Sequence, residues 1–134
     1  MKYWLIKSEP DAYSWQDLEN EQIGRWDGVR NYQARNNLKS MEMGDLCLFY
    51  HSVTEKQVVG IAEVVNEYYP DTTAEKGDWV CIDVKPYQKL PTPVTLAQIK
   101  NELQLNEMAL LKQSRLSVCP LTKDEFDCII KMGQ

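Results

Sequence analysis

Short strand-like runs and short helix-like runs follow one another in this sequence without a regular strand–helix–strand alternation. Apolar runs rich in β-branched and aromatic residues predict strands over residues 2–7, 46–50, 57–69, 79–84 and 116–118. Capping residues before good helix formers predict helices over residues 15–19, 32–39, 96–103, 108–112 and 123–132. This order indicates the α+β class, with a small mixed barrel and helices packed around it.

Capping residues define where several of the helices begin. Ser14, Thr95 and Thr122 each stand three residues before an Asp, Gln or Glu, which is the pattern of a capping box. Asn31 is a capable N-cap for the helix over 32–39. The segment 24–31 holds two glycines and is predicted to be a loop.

One glycine and two prolines are expected to interrupt or limit the predicted strands. Gly60 lies inside the run 57–69, where it indicates a bulge or the close approach of another backbone segment or of a ligand. Pro86 and Pro120 have no backbone N–H to donate to a neighbouring strand. We therefore expect each proline to limit the strand that precedes it.

The chain is predicted to be one domain over residues 1–134, because its length and its hydrophobic fraction of 43% suit one packed core. Its apolar runs fall far short of the roughly 20 residues that a membrane-spanning helix needs, and its amino end has no signal-peptide pattern. We therefore expect a soluble, cytoplasmic monomer. The four cysteines are widely spaced and form no C-x-x-C pair, which predicts free thiols.

The charge of the chain is unevenly distributed. A net charge of −5 argues against a protein that coats duplex DNA nonspecifically, because such binding depends on neutralising phosphates. Residues 23–40, however, carry a local charge of +3 from Arg25, Arg30, Arg35 and Lys39 against Asp27. Basic charge that is concentrated in this way steers an anionic ligand.

Common enzyme signatures are absent from the sequence. It contains no Gly-rich phosphate loop, no G-x-S-x-G elbow and no H-E-x-x-H motif. His51 is the only histidine, so a metal centre would have to combine it with scattered carboxylates or thiols. We therefore expect no catalytic residue, no cofactor and no metal. An enzyme that uses His51 with a carboxylate such as Glu9 stays open as an alternative.

Trp26 is the most informative of the aromatic residues. It lies between Gly24 and Gly28 and close to Arg25 and Arg30. An aromatic face beside arginines in a loop is suited to stacking on a nucleobase. Trp26 is therefore a candidate wall of a base-binding pocket.

Several sequence blocks extend this interpretation to the whole chain. The blocks are WLIKSEP at 4–10, WDGVRNYQARN at 26–36 and FYHS at 49–52, continued by VGI at 59–61, PVTL at 93–96 and RLSV at 115–118. The block at 26–36 is long and specific. By these blocks the chain resembles the EVE domain family.

The resemblance implies a PUA-like fold, a bent mixed β-barrel with flanking short helices, akin to YTH and ASCH domains. Members of that superfamily bind RNA or modified bases, and EVE domains are regarded as readers of modified cytosine or related bases, often flipped out of the strand. We therefore expect a partner that is RNA or DNA carrying a modified base. We expect binding without turnover.

The resemblance also implies which residues form the base-binding pocket. These residues are expected to meet in one concavity: Lys7, Ser8, Trp26, Val29, Asn31, Tyr32, Tyr50, His51, Ser52, Arg115, Leu116 and Ser117. A flipped base needs flat apolar walls and a few fixed donors and acceptors, and this set contains both. A phosphate-contacting rim is expected at Arg25, Arg30, Arg35 and Lys39.

Simpler roles stay open for some of these residues. Capping the helix can be the only role of Asn31, because asparagine is well suited to the N-cap position. Arg30 and Arg35 can be solvated surface charges. A small-molecule or protein-interaction pocket on the same fold is a further alternative. The acidic isoelectric point of about 4.9 keeps that alternative open.

Overall fold

The computed structural model describes residues 1–134, which form six strands and five helices. The strands are β1 (Tyr3–Ser8), β2 (Gly24–Trp26), β3 (Leu46–His51), β4 (Gln57–Pro70), β5 (Val80–Thr95) and β6 (Val118–Leu121). The helices are α1 (Trp15–Glu21), α2 (Tyr32–Ser40), α3 (Leu96–Lys100), α4 (Ala109–Lys112) and α5 (Lys123–Met132), with a 3-10 turn over Leu103–Leu105. The predicted α+β class is confirmed.

All six strands belong to one mixed sheet, in the order β2-β5-β4-β3-β1-β6. β1 and β3 are parallel, and the other neighbouring strands are antiparallel. Register shifts interrupt the pairing of β4 with both of its neighbours. Because bulges bend a strand and increase its twist, β4 and β5 curve along their 14 and 16 residues. The sheet is therefore bent and mixed, as expected.

The predicted helix starts are confirmed. Ser14, Thr95 and Thr122 each form a complete capping box with the third helical residue. Asn31 caps α2 through its side-chain oxygen, which accepts the backbone N–H of Ala34 at 2.8 Å. Each cap satisfies a backbone donor that the first turn of a helix leaves unpaired.

Both predicted strand ends at prolines are wrong. β5 runs past Pro86 to Thr95, because Pro86 pairs with Ala62 at a register shift, where a missing N–H is tolerated. Pro120 lies inside β6 rather than after it. β6 is an edge strand of the sheet, and edge strands accommodate proline.

Gly60 lies at a close contact between α1 and the sheet. The pairing of β4 with β5 shifts register between Val58 and Gly60, and a Cβ built on Gly60 would lie 2.7 Å from ring atoms of Trp15. The bulge predicted for Gly60 is present, whereas the group that approaches it closely is the side chain of Trp15 rather than another backbone segment or a ligand. Trp15 in turn meets Phe49 edge-on, with 5.5 Å between the ring centroids, so α1 is anchored over the centre of the core.

The remaining fold predictions concern the cysteines and the membrane. The four cysteines are free, and Cys47, Cys81 and Cys119 are buried. Burial raises the pKa of the Cys119 thiol to about 11. None of the helices has both the length and the apolar character needed to cross a membrane.

Candidate functional site

A cavity of about 380 Å³ lies beside the carboxyl end of β1. Its lining comes from β1, from the turn before α1, from β2 and the segment that follows it, and from the residue before β6: Lys7, Ser8, Ala12, Tyr13, Arg25, Trp26, Asp27, Gly28, Val29, Arg30 and Ser117. β1 and β6 are neighbours in the sheet, which brings the distant Ser117 to this place. The volume falls within the range of pockets that hold small ligands.

Trp26 is a strand residue, so the prediction that it lies in a loop is wrong. β2 pairs with β5, and Trp26 stands opposite Ile82. The indole of Trp26 meets Phe49 and Tyr13 edge-on, with centroid distances of 5.2 and 6.0 Å. Only 6% of Trp26 is exposed. Trp26 therefore forms a wall of the cavity and part of the hydrophobic core at the same time.

A buried carboxylate holds the next part of the lining in place. Oδ2 of Asp71 accepts hydrogen bonds from the backbone N–H of Gly28 at 2.8 Å and from Nη1 of Arg30 at 3.0 Å. Gly28 has a φ of +80°, a conformation that favours glycine. Burial alone would raise the pKa of Asp71, but hydrogen bonds from Thr73, Gly28 and Arg30 together hold that pKa well below its usual range. The segment that follows Trp26 is thus fixed to the turn after β4.

Lys7 links β1 to the opposite part of the lining. Its Nζ donates to the carbonyl of Ser114 at 2.8 Å, and its backbone N–H donates to the carbonyl of Ser117 at 2.9 Å. The side chain is half-buried, and this burial lowers the pKa of Lys7 although the nearby Cys119 opposes the shift. Lys7 therefore brings a cation to the cavity and holds the residues before β6 against it.

Charged groups also lie beside the apolar walls. Nε of Arg25 donates to the carboxylate of Asp27 at 3.1 Å, and both side chains are partly exposed. The lining contains one carboxylate, Asp27, and three cations, Lys7, Arg25 and Arg30. The cavity thus offers aromatic and aliphatic walls, one carboxylate and several cations, which suits a flat polar ligand that is attached to an anionic group.

The structure brings together some of the predicted pocket and rim residues. Those that line the cavity are Lys7, Ser8, Trp26, Val29, Ser117, Arg25 and Arg30. Asn31, Arg115 and Leu116 instead line an adjoining groove of about 340 Å³. At two places consecutive residues line the two concavities: Arg30 lines the cavity and Asn31 the groove, and Ser117 lines the cavity and Leu116 the groove.

The predicted pocket residues of β3 lie outside this cavity. Tyr50 is 4% exposed and belongs to the core, and burial raises the pKa of its hydroxyl. Ser52 follows β3, and its backbone N–H donates to the carbonyl of Ser8 at 2.9 Å. Tyr50 is therefore enclosed by core side chains, and Ser52 is connected to the cavity lining through its backbone bond to Ser8.

His51 lines a different cavity and holds α1. Its Nε2 accepts the backbone N–H of Trp15 at 3.0 Å, and its Nδ1 lies 2.8 Å from the carboxylate of Glu55. Trp15 is the first residue of α1, so His51 supplies an acceptor to a donor that the helix leaves unpaired. Both ring nitrogens are thus occupied. Glu9, the carboxylate of the enzyme alternative, is exposed.

Tyr32, Arg35 and Lys39 also lie outside the cavity, in a cluster on α2. The ring of Tyr32 stacks on that of Trp79, with 5.1 Å between centroids. Arg35 and Lys39 both approach the carboxylate of Asp78, at 3.9 and 3.2 Å. This cluster is separate from the cavity lining but touches it at Arg30, whose guanidinium carbon lies 5.8 Å from the centroid of Trp79.

Sequence reasoning missed part of the cavity. Ala12 and Tyr13 line it without having been predicted, and Asp71 supports it from outside. Asp27 and Gly28, which also line it, lie within the segment from Trp26 to Tyr32 that the resemblance assigns to the pocket. Tyr13 and Asp71 carry no local signal, because their positions depend on contacts between distant segments.

Comparison with known proteins gives consistent matches along the chain. The EVE domain model matches residues 2–132. Human thymocyte nuclear protein 1 is 35% identical over an alignment that covers 98% of this chain and 74% of that protein. A crystal structure of human THYN1 protein in complex with 5-methylcytosine-containing DNA has a TM-score of 0.95 at 33% identity, covering 100% of this chain and 98% of that one. A crystal structure of a protein from Agrobacterium tumefaciens has a TM-score of 0.96 at 43% identity, covering 99% and 93%.

Proposed function

The chain belongs to the EVE domain family, and from this premise we propose that it is a nucleic-acid-binding module whose cavity holds a modified cytosine flipped out of its strand. The observation that carries the proposal is the cavity beside β1, with its aromatic walls, its single carboxylate and its three cations. The human THYN1 complex with 5-methylcytosine-containing DNA supports it, because that chain matches this one over its full length.

The polar lining is suited to a cytosine edge. Cytosine presents an exocyclic amine, and carboxylates are the side chains that accept hydrogen bonds from this amine. Asp27 is the carboxylate available in the cavity. Ser8 adds a hydroxyl, and the backbone between Gly28 and Val29 adds further polar groups. We propose that Asp27 accepts the amine of the flipped base.

The apolar lining is suited to the ring and its substituent. Trp26 and Tyr13 provide aromatic surface, and Ala12 and Val29 provide aliphatic surface. Burying a flat base against such walls compensates for the stacking that the base loses when it leaves its strand. A methyl group at C5 would add apolar contact with Ala12 or Val29.

The cations are suited to the sugar–phosphate backbone. Arg25 and Arg30 lie at the cavity, and Arg115 lies in the adjoining groove with Asn31. Contacts between arginine and phosphate position a nucleic acid without reading its sequence. Such a local set of cations allows an acidic chain to bind one stretch of strand without coating a duplex.

The proposed activity is binding without turnover. Both ring nitrogens of His51 already have partners, and the ring lines another cavity. RNA as an additional partner, a cytoplasmic location and a monomeric state belong to the same proposal.

A competition experiment tests this function. Fluorescence anisotropy should give tighter binding to a strand with one 5-methylcytosine than to the same strand with cytosine, and tighter binding when that base is unpaired or mismatched than when it is paired. The second preference follows because flipping a paired base costs a few kcal/mol. Mass spectrometry of the recovered strand should show no new product. Equal affinity for all strands, or a shortened or demodified product, would overturn the proposal.

A further inference from the structure

An exposed aromatic stack lies next to the cavity. Tyr32 is the first residue of α2, and its ring stacks on that of Trp79 with 5.1 Å between centroids and 22° between planes. Tyr32 remains 68% exposed. An aromatic ring that is held by a stacking partner and still faces solvent presents a flat surface on which a nucleobase can stack.

The outer face of Tyr32 is open. The guanidinium carbon of Arg35 lies 5.1 Å from the centroid of Tyr32 and 5.8 Å from that of Trp79. The two rings are themselves 5.1 Å apart, so these three points form a nearly equilateral triangle. Arg35 therefore lies beside the stack rather than on the side of Tyr32 opposite Trp79. That side is free to receive another flat group.

The stack is held in place before any ligand binds. Asn31 caps α2 immediately before Tyr32 and fixes the start of the helix. Gly77 has a φ of +101°, and a Cβ on it would lie 2.7 Å from the indole nitrogen of Trp79. Only glycine therefore fits beneath the indole. A ligand that stacks on Tyr32 does not have to order these side chains first.

The stack is continuous with the cavity through Arg30. This side chain lines the cavity, and its guanidinium carbon lies 5.8 Å from the centroid of Trp79. Asp71 and Thr73 hold it by hydrogen bonds of 3.0 and 3.1 Å. A strand that leaves the cavity along Arg30 reaches the stack next.

Cations accompany the stack where a phosphate would lie. Arg35 and Lys39 share the carboxylate of Asp78, which is 75% exposed. The Arg35 side chain is 18% exposed and that of Lys39 is 32% exposed. Ion pairs at the surface contribute little free energy, so a phosphate can replace Asp78 beside Lys39 at small cost. Lys39 also lies 5.7 Å from the ring centroid of the exposed Tyr68, which extends the cationic and aromatic surface along α2.

We propose that the Tyr32–Trp79 stack is a second subsite, on which a base next to the flipped one in the same strand stacks, while Arg35 and Lys39 contact its phosphate. The inference rests on the proposed function, because it takes the cavity as the place of the flipped base. It adds a requirement for single-stranded or locally opened nucleic acid beside the modified base, since a base within an intact duplex has no free face.

A double-mutant cycle between protein and nucleic acid tests the second subsite. The probes are a single-stranded DNA with one 5-methylcytosine and the same strand with an abasic site at each neighbouring position in turn. Tyr32→Ala should weaken binding to the intact strand by roughly 5- to 150-fold, the loss expected for one stacked base. At one of the two neighbouring positions, the abasic strand should bind wild type as weakly as the intact strand binds Tyr32→Ala. Tyr32→Ala with that abasic strand should then lose no more affinity than either change causes alone. Tyr32→Phe should retain the affinity, and Tyr87→Ala, which removes another exposed tyrosine, should leave it unchanged.

The outcomes distinguish this inference from the proposed function. If the preference for 5-methylcytosine is retained but the losses from Tyr32→Ala and from the abasic site are additive at both neighbouring positions, the second subsite alone is overturned. If the preference is lost but the two losses are non-additive at one position, the proposed function is overturned and the subsite is supported. Free 5-methyl-2′-deoxycytidine, titrated by NMR, should bind wild type and Tyr32→Ala equally, because it has no neighbouring base. A weaker affinity of Tyr32→Ala for this nucleoside would show that the substitution acts on the cavity and would overturn the inference.

Discussion

Asp71 and Arg30 form an ion pair of 3.0 Å across 41 positions of the chain. The carboxylate side chain is 1% exposed, whereas the guanidinium is 38% exposed and lines the cavity. The same carboxylate oxygen accepts the backbone N–H of Gly28. A buried charge on one turn thus determines the position of a segment of the cavity lining, and the shape of the cavity depends on a residue outside it.

Asp71→Asn should therefore affect both stability and binding. The amide has only one acceptor oxygen, and its NH₂ group cannot pair with the donors of Gly28 and Arg30. We expect the free energy of unfolding to fall by about 1–3 kcal/mol, the range for leaving a buried partner unsatisfied. The affinity for the modified strand should fall about tenfold, which is about 1.4 kcal/mol. Urea denaturation and anisotropy measure the two effects. Asp127→Asn, which removes an exposed ion pair on α5, is the matched control and should change neither.

The lowered pKa of Asp71 also predicts how this effect depends on pH. A folded-state pKa below the unfolded value of about 3.9 means that the folded protein favours the charged carboxylate. The stabilisation is then complete above the unfolded pKa and is lost as pH falls toward the folded pKa. The difference in Tm between wild type and Asp71→Asn should be constant from pH 7 to about 5 and should shrink below about pH 4. A difference that grows in acid would contradict the assignment.

Trp26 should be needed for the fold as well as for binding. Because it packs against Phe49 and Tyr13, Trp26→Ala should cost about 3–5 kcal/mol of unfolding free energy. Trp26→Phe keeps an aromatic wall and should retain more of both stability and affinity. Binding is measured below the Tm of each variant, so that only folded protein is compared. If folded Trp26→Ala binds the modified strand as tightly as wild type, Trp26 is a core residue only.

The sequence predicts what depends on neighbours along the chain and misses what depends on pairing between distant segments. The cap at Ser14 and the bulge at Gly60 were predictable, because a cap uses residues within one turn and a glycine inside a strand marks a close approach. The strand at Trp26 was not, because its three residues are extended only through pairing with β5. For the same reason, the cavity residues that were predicted lie in, or directly beside, recognisable sequence blocks. The EVE blocks contain Trp26 and Val29, whereas Tyr13 and Asp71 reach the site through tertiary contacts.

His51→Ala should lower stability and leave base binding unchanged. The variant removes the acceptor of the Trp15 N–H and the partner of Glu55, so we expect a loss of about 1–3 kcal/mol in unfolding free energy. The affinity for the modified strand should stay within about twofold of wild type, since His51 is not part of the cavity lining. Glu55→Gln removes only the outer partner and should cost less stability. A selective loss of affinity at unchanged stability would return His51 to the binding site.

The apolar lining predicts how strongly the module prefers a methylated base. Burying one methyl group is worth about 0.8 kcal/mol, so contact of the C5-methyl with Val29 should favour 5-methylcytosine over cytosine by about fourfold. Val29→Ala withdraws the aliphatic surface and should reduce this ratio toward one, while the affinity for cytosine changes little. Anisotropy titrations with strands that differ only at the one base measure the ratio directly. Ala109→Gly, a comparable truncation at a residue outside the cavity lining, should leave the ratio unchanged. If Val29→Ala lowers both affinities equally and keeps the ratio, another part of the lining contacts the methyl group, and Ala12 is then the position to change.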